Sequence, residues 1–365
     1  MLRKILIGLA IVIFIFLLGI AWATYYFYPS AERVLSFIEN KPHKSAICMQ
    51  HNGKVIVSQN ADTIMPLAST VKIIVAIEFA NQFVYGQIDT AEMIDTSLLD
   101  RYYIPDTDGG AHAKWLSELR NNQSIKNGKV NLMQVAKGMM HYSSNANTEF
   151  LMDKLGFANI NARLDSLGLI GHQPLYPFVS ALFVCQNTSK KEYKTFLNEL
   201  RSMTPSQYRS ACYAIHEKLK HDSTFKKTFN PLDTDKKVQE IWSMRLPGGN
   251  CNMYVSLMQR LNSKEYFTPL FYSIISPLME RLMQNEKNQT WLKHAGKKGG
   301  STATVLTEAM YATDKQNNKT EIAVMFNNLS QMENLKLQFS LNEFDLKLIS
   351  DSSFRQQVVK TLNKK

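Results

Sequence analysis

The sequence predicts an α+β fold: one antiparallel sheet built from the N- and C-terminal segments, packed on helices and preceded by an N-terminal transmembrane helix. Three observations point there. Strand-like runs lie toward both ends, Ala46–Gln50 with Lys54–Ser58 and Ala303–Ala312 with Glu321–Asn327. The stretch between them reads mainly as helix. An uncharged apolar run, Ile5–Ala23, comes before everything else.

That run follows Arg3 and Lys4, contains Trp22 near its end and is trailed by Tyr25, Tyr26 and Tyr28. A membrane span needs roughly 17–25 apolar residues, and a signal-peptide core is shorter, about 7–15. The run therefore reads as a single-pass anchor with its basic end cytoplasmic and its aromatic end at the far interface. The remaining chain is then expected outside the cytoplasm, in the periplasm. The competing reading is secretion after cleavage near Ala23, because Ala21-Trp22-Ala23 resembles a cleavage site. The expected divisions are an anchor at 1–28, a linker helix at 29–43, the main domain at 44–330 and a C-terminal extension at 331–365.

Asn52-Gly53 between the first two strands is a two-residue hairpin signal. A nearly all-apolar helix follows, from Pro66 to about Phe83. Residues 86–130 read as irregular, with a turn-rich Pro105-Asp106-Thr107-Asp108-Gly109-Gly110. Periodicity gives helices over Leu132–His141, Thr148–Leu155 and Phe157–Leu167, the last stopped by Gly168. Residues 189–285 carry four more, Lys190–Met203, Ser206–Lys220, Cys251–Leu261 and Phe267–Met283, with Leu246-Pro247-Gly248-Gly249 as a breaker. Asp314–Lys319 closes the second hairpin, and a final helix runs from about Ser352 to Leu362.

The chain has 365 residues, 45% of them hydrophobic, enough for a large core. Its net charge is +11, which favours anionic surroundings such as lipid head groups or acidic wall polymers. The lysines are spread out, and zinc-finger spacing and RNA-recognition motifs are missing, so no nucleic-acid partner is expected. Cys48, Cys185, Cys212 and Cys251 form no CxxC pair; they read either as buried small hydrophobes or as disulfide partners in an oxidising compartment. His112, His141 and His172 lack H-E-x-x-H spacing, so neither a metal nor a cofactor is expected.

Ser69 and Lys72 stand out within Pro66-Leu67-Ala68-Ser69-Thr70-Val71-Lys72-Ile73-Ile74-Val75-Ala76-Ile77. An ammonium in a helix that is apolar all round must be paired or lose its proton. At i, i+3 the two side chains share a helical face. A hydroxyl beside a lysine of depressed pKa is one way to make serine a nucleophile. The bland reading is an N-cap serine and a snorkelling lysine. Two further clusters follow in order: Ser143-Ser144-Asn145 after a helix, and Lys297-Lys298-Gly299-Gly300-Ser301 before a strand. Singly, these read as a helix-ending turn and a loop.

The ordered set resembles the penicillin-recognising serine hydrolases, that is, the class A β-lactamases and the penicillin-binding D-alanyl-D-alanine peptidases, whose motifs are S-x-x-K, S-D-N and K-T-G. The resemblance covers roughly residues 44–330 and implies their β-lactamase/transpeptidase-like fold. It makes Ser69 the acylated nucleophile, Lys72 its base and Ser143 the proton relay to the leaving nitrogen. Lys298 would hold the substrate carboxylate, with Lys297 as the alternative register. Asn145 would bind the substrate amide, Gly299 and Gly300 would let substrate lie along the strand edge, and the N–H groups of Ser69 and Ser301 would form the oxyanion hole. No G-x-S-x-G elbow surrounds Ser69.

Three departures qualify the expected chemistry. Class A enzymes use a loop glutamate to activate the deacylating water, yet the only acid between Gly156 and Val184 is Asp165. Glu149 either points at the site or is solvated. Ser144 stands for the usual Asp, and Gly299 for Thr or Ser. The sequence thus predicts a membrane-anchored serine hydrolase acting on a β-lactam or cell-wall peptide. The alternatives are a penicillin or wall-fragment sensor without turnover and an esterase of relaxed specificity.

Overall fold

The structure, a computed structural model, describes residue 9, residues 13–20 and residues 26–363. The sheet has five antiparallel strands: β1 (Ser45–His51), β2 (Lys54–Gln59), β3 (Leu292–Ser301), β4 (Leu306–Asp314) and β5 (Lys319–Phe326). Their spatial order is β2-β1-β5-β4-β3, so the N-terminal hairpin joins the C-terminal strands through β1 and β5. The pairing is in register, with Cys48 opposite Ala323 and Met49 opposite Ile322.

Alternation along these strands sends side chains to two cores. Ile47, Met49, Met310, Ile322 and Val324 face an outer helical layer. Ala46, Cys48, Ala309, Tyr311 and Ala323 face the large inner core. The outer layer is α1 (Ala31–Asn40) with two C-terminal helices, and the inner layer holds the remaining helices. The sheet is therefore covered on both faces.

Four inner helices position the site: α2 (Lys72–Val84), α3 (Asn145–Leu155), α4 (Phe178–Val184) and α5 (Pro205–His221). One more, α6 (Lys236–Arg245), completes its wall. The outer pair is α7 (Gln331–Ser350) and α8 (Ser352–Leu362). Residues 331–365 were set apart by sequence as an extension. Leu337, Leu341, Phe344, Leu348, Phe354 and Val358 of this segment are nevertheless core residues against the sheet. Residues 86–130, expected to be irregular, contain an 11-residue helix, Ala111–Asn121, that buries His112, Trp115 and Leu119.

The four cysteines are free and buried, so the pairing alternative does not occur. Most of the expected anchor, Ile5–Ala23, lies outside the described residues. Its described part, residue 9 and residues 13–20, is helical and exposed. Among the described residues, no helix is long and apolar enough to cross a membrane.

Candidate active site

Ser69 sits in a single 3-10 turn, Ala68–Val71, that leads into α2. It is no N-cap: neither it nor Thr70 caps the helix, and Ala68 before it takes a left-handed φ of 45°. That conformation is uncommon for a residue with a Cβ and marks a locally constrained backbone. Thr70 Oγ1 bonds Thr307 Oγ1 at 2.8 Å, and Thr307 Oγ1 donates to Leu67 O at 2.6 Å. These bonds fasten the turn to β4.

Lys72 is 1% exposed. Its Nζ donates to Ser143 O at 2.7 Å and Asn145 Oδ1 at 2.8 Å, and lies 3.3 Å from Ser143 Oγ. Burial lowers its pKa well below the ordinary lysine value; the Lys298 ammonium adds to this, and the Asp108 carboxylate opposes it. A neutral amine has two N–H donors and one lone pair. The two shorter bonds take the donors, which leaves the lone pair for a hydroxyl. Ser69 Oγ has no hydrogen-bond partner among the described residues, and it lines the same cleft as Lys72.

Ser143 ends a π-helical turn, Gly138–Tyr142, in a left-handed conformation with φ 67°. This turn brings its hydroxyl between two lysines: Lys298 Nζ donates to Ser143 Oγ at 3.0 Å and to Gly299 O at 2.8 Å. Lys298 is 5% exposed, and burial brings its pKa down to about 8 against the pull of Glu308. Lys297, the alternative register, projects elsewhere. Its Nζ pairs with Glu308 at 2.7 Å and Asp345 at 2.6 Å.

β3 comes right up to Ser69 at Gly300. A Cβ there would lie 2.3 Å from Ser69 N and 2.7 Å from Thr70 N, so only glycine allows the approach. Gly299 is less confined: its nearest neighbour to a Cβ would be Glu308 Oε2 at 3.4 Å. Ser301, the next residue, is exposed and lines the cleft. Ser69, Lys72, Ser143, Asn145, Gly299, Gly300 and Ser301 thus surround one cleft of about 600 Å³, with Lys298 reaching it through Ser143.

Ser144, in the place of an aspartate, caps α3 by accepting from Asn147 N at 3.2 Å, and also bonds His112 Nδ1 at 3.0 Å. Glu149 neither enters the cleft nor meets solvent. It is 0% exposed and accepts from Val179 N at 2.5 Å, from Ser180 N and Oγ, and from His216 Nδ1 at 2.9 Å. It caps α4 and joins α3 to α5.

Sequence reasoning missed Thr307, Asp106, Asp108 and Trp242, all of which line the cleft. Asp108 accepts from His112 N at 3.1 Å through Oδ2, while its buried Oδ1 has no partner among the described residues. The Pro105–Gly110 turn signal located the loop without indicating its direction. Trp242 carried no signal at all. Among the described residues, no cluster of acids, histidines and cysteines is arranged to hold a metal ion.

A family model described as "Beta-lactamase enzyme family" matches residues 31–230. No curated protein matches the chain. Similar solved structures include a representative class A beta-lactamase from Bacteroides cellulosilyticus, at 14% identity, covering 87% of this chain and 98% of that one with a TM-score of 0.50. A beta lactamase from Burkholderia vietnamiensis aligns at 11% identity over 89% and 98% of the two chains, with a TM-score of 0.53. A PBP-A mutant, solved as an acyl-enzyme complex with penicillin G, aligns at 16% identity over 87% and 95%, with a TM-score of 0.50. At these identities the likeness establishes the fold.

Proposed function

The chain belongs to the beta-lactamase enzyme family, and from that premise we propose that it is a serine hydrolase whose Ser69 is acylated by a β-lactam or a D-alanyl peptide of the cell wall. The observation that carries this reading is the meeting of Lys72 and Lys298 at Ser143 Oγ, at 3.3 and 3.0 Å, beside Ser69.

The neutral Lys72 amine takes the Ser69 hydroxyl proton as Oγ bonds to the carbonyl carbon. The N–H groups of Ser69 and Ser301 hold the oxyanion. The C–N bond then breaks, and Ser143 Oγ gives its proton to the leaving nitrogen while receiving one from Lys72. Lys298 keeps positive charge beside this relay and attracts the substrate carboxylate. Hydrolysis of the resulting ester frees Ser69. We place this chemistry outside the cytoplasm, with Ile5–Ala23 as the anchor. Protease added to spheroplasts, with the outer envelope opened and the inner membrane intact, is expected to degrade the domain, and its full protection there would contradict this placement.

Reaction with a fluorescent penicillin tests the assignment. A stable or transient adduct is expected on the wild type, and none on Ser69→Ala. A sensor without turnover is the second reading, favoured by the position of Glu149: the acids lining the cleft are Asp106 and Asp108, neither of them from residues 156–184. Steady-state hydrolysis of a chromogenic cephalosporin separates the two, because sustained turnover that depends on Ser69 excludes the sensor.

A further inference from the structure

Helix α7 buries one side against the sheet and turns an apolar row outward. Met332, Leu335, Phe339 and Leu346 are 39–48% exposed. At 3.6 residues per turn they fall within an arc of about 60°, flanked by Asn342 and Glu343. Single exposed apolar residues are ordinary, but an aligned row on one helix marks a contact surface.

The chain enters the domain on this same face. The Phe27 ring packs edge-on against Phe339, 5.9 Å between centroids, and Lys336 Nζ stands 3.4 Å from the centre of the Tyr26 ring. Arg33 donates to Tyr28 O at 2.7 Å, to Tyr26 O at 3.1 Å and to Ser340 Oγ at 3.1 Å, and Ser30 N donates to Ser340 Oγ at 3.3 Å. Residues 26–33 are thus fastened to the middle of α7 rather than left as a loose tether. The apolar run ends at Ala23, three residues before Tyr26. Three residues span at most about 10 Å, and the headgroup layer beyond the hydrocarbon is about 5–7 Å thick. With Ile5–Ala23 in the bilayer, Tyr26 and Phe339 are held at the headgroups.

We propose that the outward face of α7 is a membrane seat: its apolar row lies in the lipid interface beside the anchor and fixes the orientation of the domain on the bilayer. This rests on the reading of Ile5–Ala23 as an anchor. An interfacial helix buries its apolar face among the headgroups and keeps its polar flanks wet. The acids Glu32 and Glu333 beside this face are paired with Lys347 and with Lys41 and Lys44, which lessens their repulsion of anionic lipid. Gln338 and Leu341, on the far side of the same helix, line the cleft. The seat therefore holds the cleft about one helix diameter, roughly 10–12 Å, from the headgroups.

The test places nitroxide labels on the full chain in vesicles of phosphatidylethanolamine and phosphatidylglycerol. Leu335→Cys, Phe339→Cys and Leu346→Cys report on the row. Ile170→Cys is the control, since Ile170 is 91% exposed on the other side of the sheet, next to Leu169 of the inner core. The native cysteines are buried, so the unsubstituted chain is the blank. Accessibility to oxygen and to a water-soluble nickel chelate reads the depth of each label. The labels on the row are expected about 5–10 Å into the interface, and the Ile170 label in water. Labels on the row as open to nickel as the control, on a chain that still floats with the vesicles, overturn the seat and leave the anchor intact. A chain that does not float with the vesicles overturns the anchor, and the seat with it. Labels shielded from both reagents and broadened by spin–spin coupling show a second copy on the face and overturn the lipid assignment. Thermal melts establish that each variant is folded; should one unfold, the other two positions decide.

Discussion

Lys298 Nζ donates to Ser143 Oγ at 3.0 Å, which places one buried ammonium on the same hydroxyl that Lys72 reaches from the other side. The two lysines act on each other through this arrangement. Lys298 adds to burial in favouring the neutral form of Lys72, and its own pKa is down to about 8. Acylation needs Lys72 without its proton and Lys298 with it. The rate of adduct formation should therefore be bell-shaped in pH, with the basic limb near pH 8 as Lys298 loses its charge. Lys298→Ala should slow acylation roughly 100-fold and move the acid limb upward, because the cation that lowers Lys72 is gone. Lys298→Arg should restore the position of that limb. An unmoved acid limb in Lys298→Ala contradicts the coupling.

Asp108 acts on Lys72 in the opposite sense, favouring its charged form. Asp108→Asn keeps an acceptor for His112 N and removes the charge. The acid limb should then shift downward, and acylation on that limb should accelerate. A pH profile identical to that of the wild type would show that the carboxylate does not reach Lys72.

The strand edge makes a steric prediction. Gly300→Ala puts a methyl group 2.3 Å from Ser69 N, so β3 or the Ser69 turn must move. Acylation should fall by at least roughly 100-fold, the scale of losing one oxyanion donor. Gly299→Ser has room, and its hydroxyl should speed acylation by carboxylate-bearing substrates up to about tenfold. Stopped-flow acylation rates check both, and a fully active Gly300→Ala contradicts the placement of the edge.

Much of the sheet could be read from the chain, because alternation and Asn52-Gly53 act locally. The start of β3 could not. His294-Ala295-Gly296-Lys297-Lys298-Gly299-Gly300 has low strand propensity and reads as a loop, and it is a strand because every position from His294 to Ser301 pairs with β4. Helix α7 was obscured for another reason. Met332, Leu335, Phe339 and Leu346 stay partly exposed on it, so apolar residues lie all round and the periodicity fades. Its Ser330–Glu333 capping box is the local signal that marks its start. Within the site, the three motifs marked the residues that converge, since each is a short local pattern. Asp108 and Trp242 reach the cleft only through tertiary packing.

A buried ion pair gives a prediction about stability. His216 is 1% exposed, hydrogen-bonds Glu149 through Nδ1 at 2.9 Å and has Nε2 at ion-pair distance, 3.3 Å, from Asp153. Burial pulls its pKa down, but the carboxylates of Asp153 and Glu149 beside the ring outweigh this and raise it to about 9. A raised histidine pKa stabilises the folded state fully below pH 6.5, and that contribution is lost as pH rises toward 9. Urea unfolding should lose up to about 3 kcal/mol over this window. His216→Gln should be less stable at pH 6 and flat across the window. A wild type equally stable at pH 6 and pH 9.5 contradicts a charged His216.

Whether Ser69 becomes acylated with Lys72 as its base is read by peptide mapping of the chain after brief exposure to benzylpenicillin. One penicilloyl group is expected on the peptide containing Ser69, formed at least roughly 100-fold more slowly in Lys72→Ala and not at all in Ser69→Ala. A penicilloyl group on another residue, or one that forms equally fast without Lys72, would contradict it.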